Sequence, residues 1–385
     1  MFTLIKGGFL YSPEKSGVKD VLIAGRTIAK ISDRIDLPGD FNTKVVLASG
    51  KIVTPGLIDL HVHLLGGGGE GGPRTRTPEI TLSRITRSGV TTVIGCLGTD
   101  DITRRPETLL AKAMQLDEEG ISSYIYCGSY QFPMATITGS VRKDIALIPK
   151  VIGVGEIAVS DHRSSQPAFE DLCRVAAEAR VGGMVGGKAG LVHLHMGSGP
   201  KMLDPIIRIV KETEIPISQF LPTHVTRTES LLKQAIQFGK MGGNIDFTVK
   251  GQDLTFPLTT SRSLKMALKA GMSIDQITLS SDSNGSMPVF DDKGSMVKIA
   301  VGDIRKLYEE WRDLVKEGFP LEDILKLVTS NPAKRAGLSQ KGRIDEGKDA
   351  DMVILDSDLE IESVIAKGRM MIRQGEVLVK GTFEE

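Results

Sequence analysis

Long apolar runs are missing from this 385-residue chain, and no stretch approaches the roughly 20 residues that a membrane-spanning helix requires. Net charge is missing as well. Lys+Arg and Asp+Glu each total 48, so there is no basic footprint for nucleic acid or an anionic membrane, and charge recognition must come from local clusters. Cysteine is scarce: Cys96, Cys127 and Cys173 are an odd number at long spacings, with no CxxC pair. That speaks against a disulfide framework or a cysteine–zinc site and for three reduced, mostly buried thiols. The opening segment MFTLIKGGFLYSPEKSG lacks a basic start followed by a sustained apolar stretch. No secretory signal is read there, and a cytoplasmic location is expected.

What is present is the balance of a globular enzyme, 40% hydrophobic and 25% charged, in a chain long enough for a barrel plus a smaller module. The first fifty residues read as short strands (FTLIKGGFLY, KDVLIAG, RTIAKIS, TKVVLASGKIV) punctuated by glycine and polar turns. The tail has the same character (DADMVILD, ESVIAKG, RMMIRQGEVLVKG). Residues 1–54 and 340–385 are therefore expected to pair as one discontinuous β-sandwich domain. Between them, residues 55–339 alternate short apolar runs with helical patterns such as PETLLAKAMQLDEE and ESLLKQAIQFGKM. About eight such repeats predict an α/β fold, a (β/α)₈ TIM-type barrel. An open doubly wound sheet is the alternative, but the glycine run Gly66 to Gly72 lacks its phosphate-binding spacing.

Histidine is the second scarce residue, and here the scarcity is informative: five of six lie on the apolar runs. His61 and His63, in DLHVH, share a strand face at i and i+2 and can reach one metal from inside a barrel. His195 (LVHLHMG) and His224 (LPTHV) each precede a turn. His193 shares a face with His195, so spacing does not choose between them. His195 is preferred because it is nearer the C-terminal end of its strand, where barrel active sites lie. Glu156 ends the run KVIGVGE, and an acid after a buried strand is costly unless paired or bound to metal. Asp282, in LSSDSNGS, repeats the pattern, against an Asx-turn reading. Four histidines and two carboxylates can hold two divalent ions, with zinc favoured and manganese, iron or nickel also suited. Such a pair lowers the pKa of a bridging water and clamps an attacked carbonyl.

The order of these ligands, with TPGLIDLHVH before the barrel and GRIDEGKDADMVILD after it, resembles the amidohydrolase superfamily over essentially the whole chain. The segments HLLGGGGEGGPRTRTPE, CLGTD, CGSYQFP, SDHRSS, LPTHVTR, LSSDSNGSMPVFDDKG and VKGTFE are most similar to its isoaspartyl (β-aspartyl) dipeptidase family. The resemblance implies a zinc enzyme that hydrolyses β-aspartyl dipeptides with a metal-activated hydroxide and assembles as a homo-oligomer. It implies that His61, His63, His195, His224 and Asp282 are ligands and that Asp282 shuttles the proton. It makes Glu70 the partner of the substrate amine, Tyr130 the hydroxyl that polarises the scissile carbonyl, and Arg163 and Arg227 carboxylate clamps. Thr99, Ser286 and the backbone near Gly68 assist. One departure stands out. Many family members bridge the metals with a carboxylated lysine, where this chain has Glu156. The shorter side chain requires a closer strand, and the glycines of VIGVG permit a bulge that would supply it. His162 and His193 are expected in structural or supporting roles. Another amidohydrolase, acting on cyclic amides or N-acyl amino acids, is the first alternative. A metal-free scaffold is the second.

Overall fold

The apolar runs in the middle of the chain become eight strands: β1 (Leu57–Val62), β2 (Val90–Gly95), β3 (Ser122–Cys127), β4 (Val151–Val159), β5 (Leu191–Met196), β6 (Phe220–Thr223), β7 (Ile245–Thr248) and β8 (Ile277–Ser280). The structure is a computed structural model that describes residues 2–38, 42–249, 258–290 and 296–385. Strands β1 to β6 form one parallel ladder in chain order, and β7 pairs with β8. A parallel bridge between Val62 and Ser283, with His63 N–H donating to Ser283 O at 2.9 Å, joins β8 back to β1. Among the described residues β6 and β7 share no ladder. Side chains stitch them instead: Thr223 Oγ1 donates to Asp246 Oδ2 at 2.7 Å, and His224 Nδ1 lies 2.6 Å from Thr248 Oγ1. The result is the curled parallel sheet of a TIM barrel.

Helices such as Pro106–Glu119, Phe169–Gly186 and Glu229–Lys240 alternate with the strands, matching the helical patterns of the sequence. Their apolar faces and the outward faces of the strands make the large core. Ile58, Leu60, Ile94, Tyr126, Ile152, Leu191 and Leu221, one or two from each of six strands, form a separate cluster closed by Ala333 and Ala336. This is the barrel floor, on which the next inward residues stand, since i and i+2 share a face. In β5, Leu191 lies in the floor, His193 stands above it, and His195 reaches the mouth.

Two of the strands that carry expected ligands are bulged. Asp59 to Val62 of β1 spans three residues against two of β2, and Val154 to Ile157 of β4 spans three against two of β5. The second bulge is the one the VIGVG glycines allow. Glu156 does not end its strand as the sequence suggested; β4 runs on to Val159, and the extra residue turns an interior carboxylate into the barrel.

The two chain ends share one nine-stranded sheet. Ile52–Pro55 pairs antiparallel with Met352–Leu355, joining the N-terminal strands to those of the tail. Val21, Ile23 and Val53 pack with Met352, Ile354 and Ile365 in its core. Lys341 ties this sheet to the barrel: its buried ammonium lies 2.6 Å from Asp351 Oδ2 and donates to Ser122 Oγ of β3 at 2.6 Å. Of the segments singled out in the sequence, Lys250, Gly251 and residues 291–294 lie outside the described residues.

Candidate active site

The six expected metal ligands converge at the C-terminal mouth of the barrel, with Glu156 in the middle. Glu156 Oε2 stands 3.2 Å from His61 Nε2, 3.3 Å from His195 Nδ1 and 3.4 Å from His224 Nε2, and Oε1 stands 3.6 Å from His63 Nε2. Asp282 Oδ1 faces His63 Nε2 at 3.1 Å and His61 Nε2 at 3.4 Å. His224 and Asp282 both take left-handed backbone, φ 60° and 51°. For non-glycine residues that conformation costs about 1–3 kcal/mol and collects at functional sites.

A divalent cation fits these residues. His61 Nε2, His224 Nε2 and Glu156 Oε1 are buried yet make no hydrogen bond, although other polar atoms crowd them. Atoms this close and this poorly aligned with one another are aimed at a common point. Two groupings share the Glu156 carboxylate: His61, His63, Cys96 and Glu156, and Glu156, His195 and His224. Such sharing is what a bridge between two ions requires. The electrostatics agree. Burial alone would raise the Glu156 carboxyl, but His61 and His195 hold it well below the usual carboxylate range. Against burial, Cys96 and Asp282 push His63 up to about 10. His224 goes the other way, pushed well down by burial and by Arg227 and His195.

Three of the four clustered imidazoles, those of His61, His224 and His195, have an outer partner that orients them. His193 Nε2 lies 3.3 Å from His61 Nδ1, with Tyr126 stacked on the His193 ring. Burial pushes His193 down to about 3, so it is a neutral ring that steers His61. Thr248 Oγ1 steers His224. Asp161 Oδ2 stands 3.2 Å from His195 Nε2, and the same carboxylate takes Arg163 Nε and Nη2 at 3.0 Å each. Sequence reasoning passed over Asp161. An acid between serine and histidine in a loop reads as a turn residue, and only its place two residues before Arg163 hinted otherwise. Cys96 was passed over too, read as a plain buried thiol. His162 is exposed at the rim of this segment.

The expected substrate residues gather beside the cluster. Glu70 accepts from Ser286 Oγ at 2.8 Å, Thr99 Oγ1 at 3.2 Å and Arg163 Nη1 at 3.3 Å. Tyr130 Oη lies 2.6 Å from His195 Nδ1, and burial pushes its phenol well up, which keeps it a donor. Arg227 Nη2 is 3.1 Å from His195 Nε2. Gly68, at φ +79°, bridges to Arg76; a Cβ there would stand 2.3 Å from Thr75 O, so only glycine holds this loop over the site.

A barrel with a histidine–carboxylate cluster at its mouth is the arrangement of a metal-assisted hydrolase. The amidohydrolase family profile matches residues 181–371. The chain is 45% identical to the β-aspartyl dipeptidase of Fervidobacterium islandicum AW-1 solved with β-Asp-Leu, covering 100% of both chains at a TM-score of 0.94. It is 28% identical to a dihydroorotase of Pelotomaculum thermopropionicum, over 93% of this chain and 90% of that one. A D-hydantoinase from Thermus sp., at 16% identity and TM-score 0.73 over 100% and 98% of the two chains, shares the fold. The chain belongs to the amidohydrolase superfamily and, within it, to the β-aspartyl dipeptidases.

Proposed function

We propose that the protein hydrolyses β-aspartyl dipeptides, releasing aspartate and the second amino acid, with two zinc ions held by His61, His63, Glu156, His195, His224 and Asp282. The observation that carries this reading is the Glu70 carboxylate, held by Thr99, Arg163 and Ser286 next to the histidine cluster. A free β-aspartyl dipeptide has one ammonium and two carboxylates besides its scissile amide. Glu70 supplies the anion, and Arg163 and Arg227 supply planar forks for the carboxylates. The Fervidobacterium relative holding β-Asp-Leu supports the same substrate class.

Divalent cations at the cluster supply Lewis acidity and a water of lowered pKa. The chain's own groups do the rest. Asp282 Oδ1 takes a proton from the water whose oxygen adds to the β-carbonyl carbon. Tyr130 Oη donates to the carbonyl oxygen as it gains negative charge. As the C–N bond breaks, Asp282 passes its proton to the leaving amine nitrogen. Arg163 and Arg227 fix the substrate ends so that the amide meets these groups in register.

The dihydroorotase relatives give a second reading. Dihydroorotate has a carboxylate but no ammonium, so it would offer Glu70 no cationic group. Turnover of β-Asp-Leu, N-acetyl-β-Asp-Leu and dihydroorotate by zinc-loaded protein separates the two. Rapid turnover of β-Asp-Leu alone is expected. Equal or faster turnover of either substrate without the amine would refute the dipeptide reading.

A further inference from the structure

Cys96 follows β2, beside the histidine pair of β1, and its backbone N–H donates to Val62 O at 3.1 Å. Its side chain is fully buried, with Sγ 4.0 Å from both ring nitrogens of His63. One ligand atom each from His61, His63, Cys96 and Glu156 all lie within 4.8 Å of one another. Two of these partners, His61 Nε2 and Glu156 Oε1, are fully buried polar atoms without a hydrogen bond. Cys127 is the comparison the chain itself offers. It is equally buried, but its Sγ donates to Gly153 O at 3.4 Å and it packs in the large apolar core, outside every such group. Cys96 Sγ likewise lies 3.8 Å from Val62 O and packs with the barrel-floor cluster, so what sets it apart from Cys127 is its place among His61, His63 and Glu156.

We infer that Cys96 Sγ is a ligand of the cation held by His61, His63 and Glu156, giving one ion a mixed nitrogen, sulfur and oxygen shell. The inference rests on the cluster holding metal, as proposed above. In a tetrahedral zinc site, N and S donors stand roughly 3.3–3.6 Å apart. Cys96 Sγ reaches that range from its 4.0 Å with a side-chain shift of about half an ångström. Cys96 adds a fourth protein donor beside His61, His63 and Glu156. A soft sulfur donor also selects the ion, favouring zinc or cobalt over magnesium or manganese. The glutamate bridge and the thiolate thus belong to one altered shell.

The test needs no variant to begin. Zinc X-ray absorption on the zinc-loaded wild type should show a sulfur shell at about 2.3 Å. Cobalt loading should give a near-ultraviolet sulfur-to-cobalt charge-transfer band beside the visible d–d bands. Cys96→Ser should keep the d–d bands and lose the charge-transfer band, and a Cys127→Ser/Cys173→Ser double variant should keep both. Zinc affinity of Cys96→Ser should fall by more than the about 10–100-fold that loss of an outer-shell partner costs, and manganese affinity by less. Metal bound with no sulfur shell and no charge-transfer band overturns the inference and leaves the hydrolase reading standing. A charge-transfer band that survives Cys96→Ser also overturns it. A wild type that takes up neither zinc nor cobalt overturns both.

Discussion

Gly155 lies against the backbone of His193 so closely that a Cβ on it would stand 2.6 Å from the His193 carbonyl oxygen. This contact packs the bulged segment of β4 onto β5 and sets how deep Glu156 reaches among the histidines. Gly155→Ala must push the two strands apart, at a cost of about 1–3 kcal/mol for overpacking. The expected outcome is a folded protein that binds less metal, because its bridge has moved. Metal analysis and circular dichroism check this. Unchanged metal content would show that Glu156 does not depend on the bulge.

Asp161 links the histidine cluster to the expected carboxylate clamp, since one carboxylate meets both His195 and Arg163. His195 and Arg163 hold it well below the usual carboxylate range despite its burial. Asp161→Asn keeps the shape and removes the charge. Metal affinity should fall about 10–100-fold, the usual effect of losing an outer-shell carboxylate. KM for β-Asp-Leu should rise as Arg163 loses its anchor. Chelator competition and steady-state kinetics measure the two effects. A change in one without the other would divide the role assigned here.

How much of this was legible beforehand depended on the physics each residue uses. The HxH pair was readable because a strand's side chains repeat every two residues. The bulge that takes in Leu60 and His61 was not, since nothing in DLHVH marks an extra residue that only pairing with β2 reveals. Glu156 was recognised as a buried acid in need of a partner, but the end of β4 was misplaced because its glycines look like a strand terminus. His193 and His195 could be ranked only by height in the barrel, measured from the floor residue Leu191. Asp161, Thr248 and Cys96 were not picked out, because each meets a histidine that lies far from it in the chain.

Lys341 tests the joint between barrel and terminal sheet. Its ammonium is buried between Asp349, Asp351 and Ser122. Burial would lower its pKa, but Asp351 and Asp349 raise it above the ordinary lysine value. A raised folded pKa means that the stabilisation is full below the unfolded lysine pKa and is lost as pH rises through the folded one. Lys341→Met strands the Asp351 charge and should cost about 3–5 kcal/mol at neutral pH. Urea unfolding across pH should show the gap between wild type and variant closing only in strongly alkaline solution. A gap that closes near neutrality would place the effect elsewhere.

The last prediction concerns Glu156 as the bridge. Its Oε2 lies within 3.4 Å of His61, His195 and His224, and its Oε1 faces His63. A glutamate is a carboxylate already, so activity should not depend on bicarbonate during metal loading, unlike that of a site built on a carboxylated lysine. Glu156→Ala should lose at least one metal per subunit, and added acetate or propionate should partly restore activity by placing a free carboxylate in the vacated space. Glu156→Lys is the sharper case. The bulge has already brought the strand toward the histidines, so the longer side chain overfills a fully buried space, and overpacking of this kind costs about 1–3 kcal/mol. Bicarbonate should therefore rescue Glu156→Lys weakly or not at all, although it can carboxylate the new amine. Metal content and kcat for both variants, with and without bicarbonate, decide the matter. Two metals and normal turnover in Glu156→Ala would show that the bridge lies elsewhere.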